Sequence, residues 1–285
     1  MQVLVTRPAA QAPAWVSALR AAGLDAQALP LIEVAAAAPQ WLERCWLRLA
    51  AGSAATPGAV AAPVPGDSVE PVGAVMFVSA NAIEHFFASQ PAQLQAGWQQ
   101  GLRFWVTGPA SRDALLAHGV EASRIDGPTA SAAQWDSEAL WAVVAPQVVP
   151  GLGVLIVRGT VQSGQDETGR GLQDAAATGV GRDWFAAQVQ AAGGLVAYCV
   201  AYVRRPPTWS PEQRRLAQGQ AVWLFTSSEA IGNLQTLLPL QSWAQARCVA
   251  THARIAQAAH AAGFGVVCLS RPGLEAVLAS IKSLA

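Results

Sequence analysis

Short unbroken apolar runs recur along the chain, each followed by a stretch in which apolar residues return at helical spacing. The runs are Val3-Leu4-Val5, Val75-Met76-Phe77-Val78, Phe104-Trp105-Val106, Val154-Leu155-Ile156-Val157, Val222-Trp223-Leu224-Phe225 and Cys248-Val249-Ala250. Their length and flanking turn residues read as strands buried on both faces. Helices of about 10 to 15 residues are predicted between them, the alternation of a parallel sheet flanked by helices. The predicted class is α/β, with two similar domains of this kind.

The alternation repeats itself in the order A, B, A′, B′. A runs from Val3-Leu4-Val5-Thr6-Arg7-Pro8 through a helix to Ala22-Gly23 and a second strand, Ala28-Leu29-Pro30-Leu31-Ile32-Glu33. A′ runs from Val154 to Arg158-Gly159, then a helix from about Arg182 to Ala192-Gly193, then a strand from Ala197 to Tyr202. Both read as strand, arginine-bearing turn, helix, glycine stop and strand. B and B′ each hold a strand running into a hydroxyl-rich helix start, Ser79-Ala80-Asn81 in one and Thr226-Ser227-Ser228 in the other. Each then continues into a second strand and helix, ending at His118-Gly119 and Ala262-Gly263. Residues 50–72 and 160–181 break the pattern and are expected to be surface loops without regular structure.

At 285 residues the chain suffices for two domains of ordinary size. With 52% hydrophobic and 13% charged residues it is neither disordered nor fibrous. No run reaches the roughly 18 apolar residues of a membrane span. The first residues read as a strand rather than a secretion signal, so the expected location is cytoplasmic, away from membranes. Eighteen basic residues balance eighteen acidic ones, so no global field draws in nucleic acid and any anion must be held locally. All the basic residues but Lys282 are arginine, a bias that suits carboxylate recognition and equally records nucleotide composition. Cys45, Cys199, Cys248 and Cys268 form no paired motif, and the four histidines lack metal-helix spacing, so no metal is expected.

Candidate chemistry gathers where strands end: Thr6-Arg7, Ser79-Ala80-Asn81, Gly108 to Ser111, and Thr226-Ser227-Ser228. Helix starts expose N–H groups and a partial positive charge, and ligands of open α/β sheets sit at the carboxyl ends of the strands. Each hydroxyl taken singly is a helix cap worth about 1 kcal/mol. Recurrence at equivalent points of the repeat favours an anionic ligand. No dinucleotide or P-loop glycine motif, nucleophile elbow or hydrolase triad is present.

In their order and spacing, Val5-Thr6-Arg7-Pro8, Phe77-Val78-Ser79-Ala80-Asn81-Ala82, Val106-Thr107-Gly108-Pro109-Ala110-Ser111, Val154 to Gly159, Tyr202, Phe225 to Ala230 and Gly263-Phe264 resemble the uroporphyrinogen-III synthase family over nearly the whole chain. The resemblance implies a discontinuous first domain of residues 1–36 and 204–285, a second of residues 37–203, and two connecting ribbons, Leu29 to Val34 and Val200 to Arg205. It implies a cleft between the domains holding hydroxymethylbilane, a linear tetrapyrrole with eight carboxylates. The implied reaction loses water, inverts the last ring through a spiro intermediate and yields uroporphyrinogen III in haem biosynthesis, with no cofactor. A monomer is expected.

Substrate-binding residues by this resemblance are Arg7, Ser79, Asn81, Gly108, Ser111, Arg158, Thr226, Ser227, Ser228, Thr251 and His252. Ala250 and Ala253 stand where the family carries a glycine and a hydroxyl, and Thr251 and His252 lie beside them. Tyr202, one of two tyrosines, takes the place that Ile32 holds in the first repeat, with Tyr198 on the same strand face. It reads either as the acid that assists the departing hydroxyl or as a packing aromatic with a hydrogen-bonded tip. The alternative to an enzyme is a cytoplasmic two-domain binding protein closing on an anionic small molecule.

Overall fold

The apolar runs become strands, and the pleat splits each run between two cores. The computed structural model describes residues 1–53, 72–92, 94, 97–129, 132, 134–161 and 182–284. The chain divides into two compact units, Met1–Val34 with Arg204–Ala285, and Ala35–Val203.

The first unit holds β1 (Gln2–Val5), β2 (Asp25–Ala28), β9 (Val222–Phe225), β10 (Arg247–Ala250) and β11 (Val266–Leu269), in the sheet order β11-β10-β9-β1-β2. Every pairing is parallel. Alternate residues face opposite ways along a strand. Val3, Val5, Val222, Leu224 and Val249 therefore pack with Val16 and Leu19 of helix α1 (Ala12–Ala21) and with Val277 and Ile281 of the last helix, Leu274–Lys282. Leu4, Trp223, Phe225 and Cys248 face the other core, with Ile231 and Leu234 of helix Ser228–Leu237 and Ile255 of helix Ala253–Ala261. Strands covered on both faces have no solvent side, which is why the sequence shows unbroken apolar runs.

The second unit carries a six-stranded sheet in the order β3-β8-β7-β4-β5-β6. Its strands are β3 (Glu33–Ala36), β4 (Val72–Phe77), β5 (Arg103–Val106), β6 (Ile125–Asp126), β7 (Gly153–Val161) and β8 (Leu195–Arg205). β4 pairs parallel with β5 and β7, and β5 with β6. One face packs Met76, Trp105 and Ile156 against Leu140, Val144, Phe185 and Val189. Beyond the other, Trp46 from helix α2 (Pro39–Ser53) stacks on Phe86 from helix α3 (Ala80–Ala88) at 4.2 Å, and Phe77 meets Phe86 edge-on at 5.5 Å.

Several sequence expectations are corrected. The strand expected over 28–33 is two strands, β2 ending at Ala28 and β3 starting at Glu33. Pro30 supplies no N–H to a ladder, though its neighbours Leu29 and Leu31 still donate main-chain N–H groups at the end of β1. The Leu29 N–H reaches the Val5 carbonyl at 2.9 Å, while Trp209 and Asn233 donate to the carbonyls of Pro30 and Leu31 at 3.3 and 2.8 Å. Of the stretches expected to lack regular structure, residues 50–53 close α2, Val72 opens β4, and Thr160 and Val161 end β7. Residues 54–71 and 162–181 lie outside the described residues. The glycine stops at Gly23 and Gly193 both have φ near +85°, the left-handed turn that ends a helix at low cost.

All four cysteines are free thiols, three of them buried. Burial pushes the Cys199 and Cys248 thiols up, the latter to about 12.

Candidate active site

In the second unit, β4 ends at Phe77 and helix α3 begins three residues later, capped by Ser79 in extended conformation. The Ser79 hydroxyl accepts from the Ala82 N–H at 3.2 Å and lies 3.3 Å from the Tyr202 hydroxyl. Two residues read from separate repeats thus meet. Tyr202 comes from β8 and is 4% exposed. His85, one helical turn beyond Asn81, faces the Tyr202 ring at 5.7 Å between centroids and 27° between planes. Burial lowers the His85 pKa, and the charge of Glu84 works in the opposite direction. Asn81 occupies the second position of α3, half-buried.

The next strand end repeats the device. β5 leads to Gly108, the extended N-cap of helix α4 (Pro109–Ala117), with Pro109 at the first helical position. Pro is suited there because that N–H has no helical partner. Ser111, in the first turn, is buried. Arg158 corrects the sequence reading: it lies inside β7 rather than in a turn, 2% exposed, its guanidinium 4.2 Å from the centre of the Tyr198 ring. β7 runs past it because the apolar-to-polar change there marks no chain reversal.

In the first unit, Thr6-Arg7 does not start a helix. The helix begins at Ala12 behind Gln11, whose side chain makes no cap. The Thr6 hydroxyl is spent on the Leu224 carbonyl at 2.7 Å, tying β1 to β9. Arg7 donates through Nη2 to Gln11 Oε1 at 3.1 Å and lies 5.1 Å over Trp15. Its buried Nε has no acceptor among the described residues, and burial lowers its pKa from the ordinary arginine value.

At the end of β9, Ser227 caps the following helix, its hydroxyl accepting from the Glu229 N–H at 3.2 Å, with Ser228 next in line. Thr226 is half-buried, and no hydrogen bond from its hydroxyl is seen among the described residues. At the end of β10, the Thr251 N–H donates to the Phe225 carbonyl at 3.2 Å. His252 is an exposed N-cap whose Nδ1 accepts from the Arg254 N–H at 3.2 Å. In that role Nδ1 carries no proton.

The sequence reading gave no role to His85, or to the ion pair between Arg204 Nε and Glu229 Oε2 at 3.4 Å. Arg204 lies two residues after Tyr202 and Glu229 follows the Thr-Ser-Ser run, but nothing local says that they meet. Each unit by itself presents what an anion requires, helix starts with N–H groups at strand ends. Among the described residues no cluster of His, Cys, Asp and Glu could hold a metal ion, and no helix is long and apolar enough to cross a membrane.

A family model described as uroporphyrinogen-III synthase HemD matches residues 13–279. Among solved structures, a mutant uroporphyrinogen III synthase from Thermus thermophilus is 13% identical, covering 99% of this chain and 98% of that one, with a TM-score of 0.52. Uroporphyrinogen-III synthetase from Helicobacter pylori is 12% identical, covering 100% and 99%, with a TM-score of 0.53. At such identities these structures speak for the fold alone. A search of curated proteins finds no match. With the family model spanning nearly the whole sequence, the chain belongs to the uroporphyrinogen-III synthase family and is an enzyme of tetrapyrrole biosynthesis.

Proposed function

We propose that this enzyme is a cofactor-independent lyase that closes hydroxymethylbilane to uroporphyrinogen III, with Tyr202 as the acid for the departing hydroxyl. The observation that carries the assignment of roles is the meeting of the Tyr202 and Ser79 hydroxyls, 3.3 Å apart at a helix start. A pyrrole nitrogen supplies the electron pair that expels the terminal hydroxyl, and the phenol proton leaves with it as water. The Ser79 hydroxyl then donates to the phenolate. The helix start adds partial positive charge, which favours the anion. When the ring carbon loses its proton at closure, the phenolate takes it back and the enzyme is regenerated. Because Tyr202 is bonded to Ser79, the substrate hydroxyl must replace or extend that bond on binding.

The carboxylates are assigned to the helix starts at Ser79, Gly108, Ser227 and His252, where N–H groups donate to an anion without a basic patch. Asn81, Ser111, Thr226, Ser228 and Thr251 adjoin these starts, and Arg7 beyond the end of β1 and Arg158 within β7 bring positive charge. Holding a long flexible substrate folded is itself a large part of such catalysis, since well-oriented intramolecular reactions gain about 7 to 11 kcal/mol.

The test is incubation of purified protein with fresh hydroxymethylbilane, followed by oxidation and separation of isomers. Isomer III in excess is expected. A mixture no richer in isomer III than the spontaneous reaction removes the reading. Tyr202→Phe keeps the ring and removes the proton; general acid assistance is worth about 10²- to 10⁴-fold. A fall of that order with unchanged melting is expected, whereas wild-type turnover assigns Tyr202 to packing.

A further inference from the structure

Tyr202 packs against bare main chain as well as against the His85 side chain. β8, which carries it, is the sheet neighbour of β7, and Gly159 of β7 lies under the phenol. A Cβ at residue 159 would fall well inside 3.0 Å of Cζ, Cε2 and Cε1 of that ring at once. Closeness to all three places it over the ring face rather than beyond an edge. The backbone of Gly159 is that of an ordinary strand residue, with φ outside the left-handed region. Its conformation therefore does not demand glycine, and glycine inside a strand is otherwise unfavourable. What demands it is the approach of the aromatic ring.

We propose that Gly159 is a positioning residue for Tyr202: its bare main chain is the seat that fixes the phenol, with His85 beside the ring, so that the hydroxyl meets Ser79. This inference rests on the reading of Tyr202 as the proton donor. Ordinary contact begins near 3.4 Å, so any side chain at residue 159 drives the ring away from β7. The bond to Ser79, already 3.3 Å long, has no slack to follow it. A donor misplaced by about 1 Å can cost about 10²-fold in rate. Gly159 adjoins none of the helix starts assigned to carboxylates, and its neighbour Arg158 keeps its charge and its place over the Tyr198 ring, so binding should be spared.

A glycine and an aromatic on neighbouring strands also stabilise a sheet simply by packing. That role alone predicts lower melting with unchanged turnover of the folded enzyme, which separates the two. In Gly159→Ala we expect kcat to fall about 10- to 100-fold with KM within about threefold. Because the chain has only two tyrosines, tyrosine labelled with carbon-13 at Cζ gives two signals, assigned with Tyr198→Phe. The Tyr202 signal should move in Gly159→Ala. Introducing Gly159→Ala into Tyr202→Ala, where no ring remains to collide with, should leave turnover as it is in Tyr202→Ala.

Wild-type turnover in Gly159→Ala, with Tyr202→Phe impaired, overturns the inference and leaves the Tyr202 reading standing. Wild-type turnover in Tyr202→Phe overturns both. A further loss of turnover when Gly159→Ala is added to Tyr202→Ala also overturns it, because Gly159 then acts independently of the ring. If Gly159→Ala does not fold, the double variant decides: folding restored by removal of the ring supports the seat, and continued failure to fold overturns it.

Discussion

His85 stands against Tyr202 with its imidazole partly withdrawn from water, and burial makes it harder to protonate in the folded chain than in the unfolded one. An unperturbed histidine titrates near about 6.5. Between that value and the depressed folded value the unfolded state binds more protons, so stability falls as pH drops through the window. The contribution is complete above about 6.5 and lost as pH falls through the folded value. In His85→Gln, the decline in melting temperature between pH 7.5 and 5 should be shallower than in the wild type. Parallel declines would show that His85 is not differentially titrated. At this scale hydroxyl caps are legible, because Ser and Thr before an apolar helical stretch have a local reason to be there. The arginines are less so: Arg7 and Arg158 look alike in sequence, yet one lies beyond a strand and the other is buried within one. Where a strand stops depends on its neighbours.

Elements test the division between capping and binding. Ser227→Ala removes a cap and should cost about 1 kcal/mol in urea unfolding. Thr226, whose hydroxyl has no bond among the described residues, should leave stability unchanged on conversion to Ala. If it binds a carboxylate, KM should rise by the 0.5 to 1.5 kcal/mol of one hydrogen bond, roughly 2- to 12-fold. Activity abolished by Thr226→Ala in a folded protein would contradict distributed binding and mark a dedicated catalytic hydroxyl. Asn233 presents the reverse case. It reaches back to the Leu31 carbonyl, 202 residues away, at 2.8 Å. Asn233→Leu should leave that carbonyl unpaired and cost about 1 to 3 kcal/mol without moving KM. Melting unchanged in Asn233→Leu would show that water satisfies the carbonyl instead. The same contact explains why residues 28–33 imitate one strand in the sequence. Apolar Leu29, Leu31 and Ile32 have the pattern of a strand, and the Leu29 and Leu31 N–H groups still donate to Val5 and Thr6, but the carbonyls of Pro30 and Leu31 are taken by the indole of Trp209 and a distant amide rather than by a neighbouring strand.

At the scale of the whole molecule, the repeat in the sequence corresponds to two sheets with their own cores, Leu4 and Trp223 belonging to one and Met76 and Trp105 to the other. Apolar burial stabilises by about 25 cal/mol per Å² wherever it occurs, so a unit with strands covered on both faces should not need the other to fold. A fragment from Glu33 to Arg205 keeps β3 and β8 whole and is continuous. The complementary unit must be rejoined, and its chain ends lie close: Trp209 Nε1 donates to the Pro30 carbonyl at 3.3 Å. A linker of about four glycines from Ile32 to Pro206 should span that gap, since closing a short loop costs little entropy. Both fragments are expected to unfold cooperatively in urea, with coincident transitions by circular dichroism and tryptophan fluorescence. The denaturant slope of each should be smaller than that of the full chain, because each exposes less surface. A fragment that shows dispersed transitions, or no transition, would mean that its core is completed by residues from the rest of the chain. The repeat would then mark two halves of one folding unit rather than two domains.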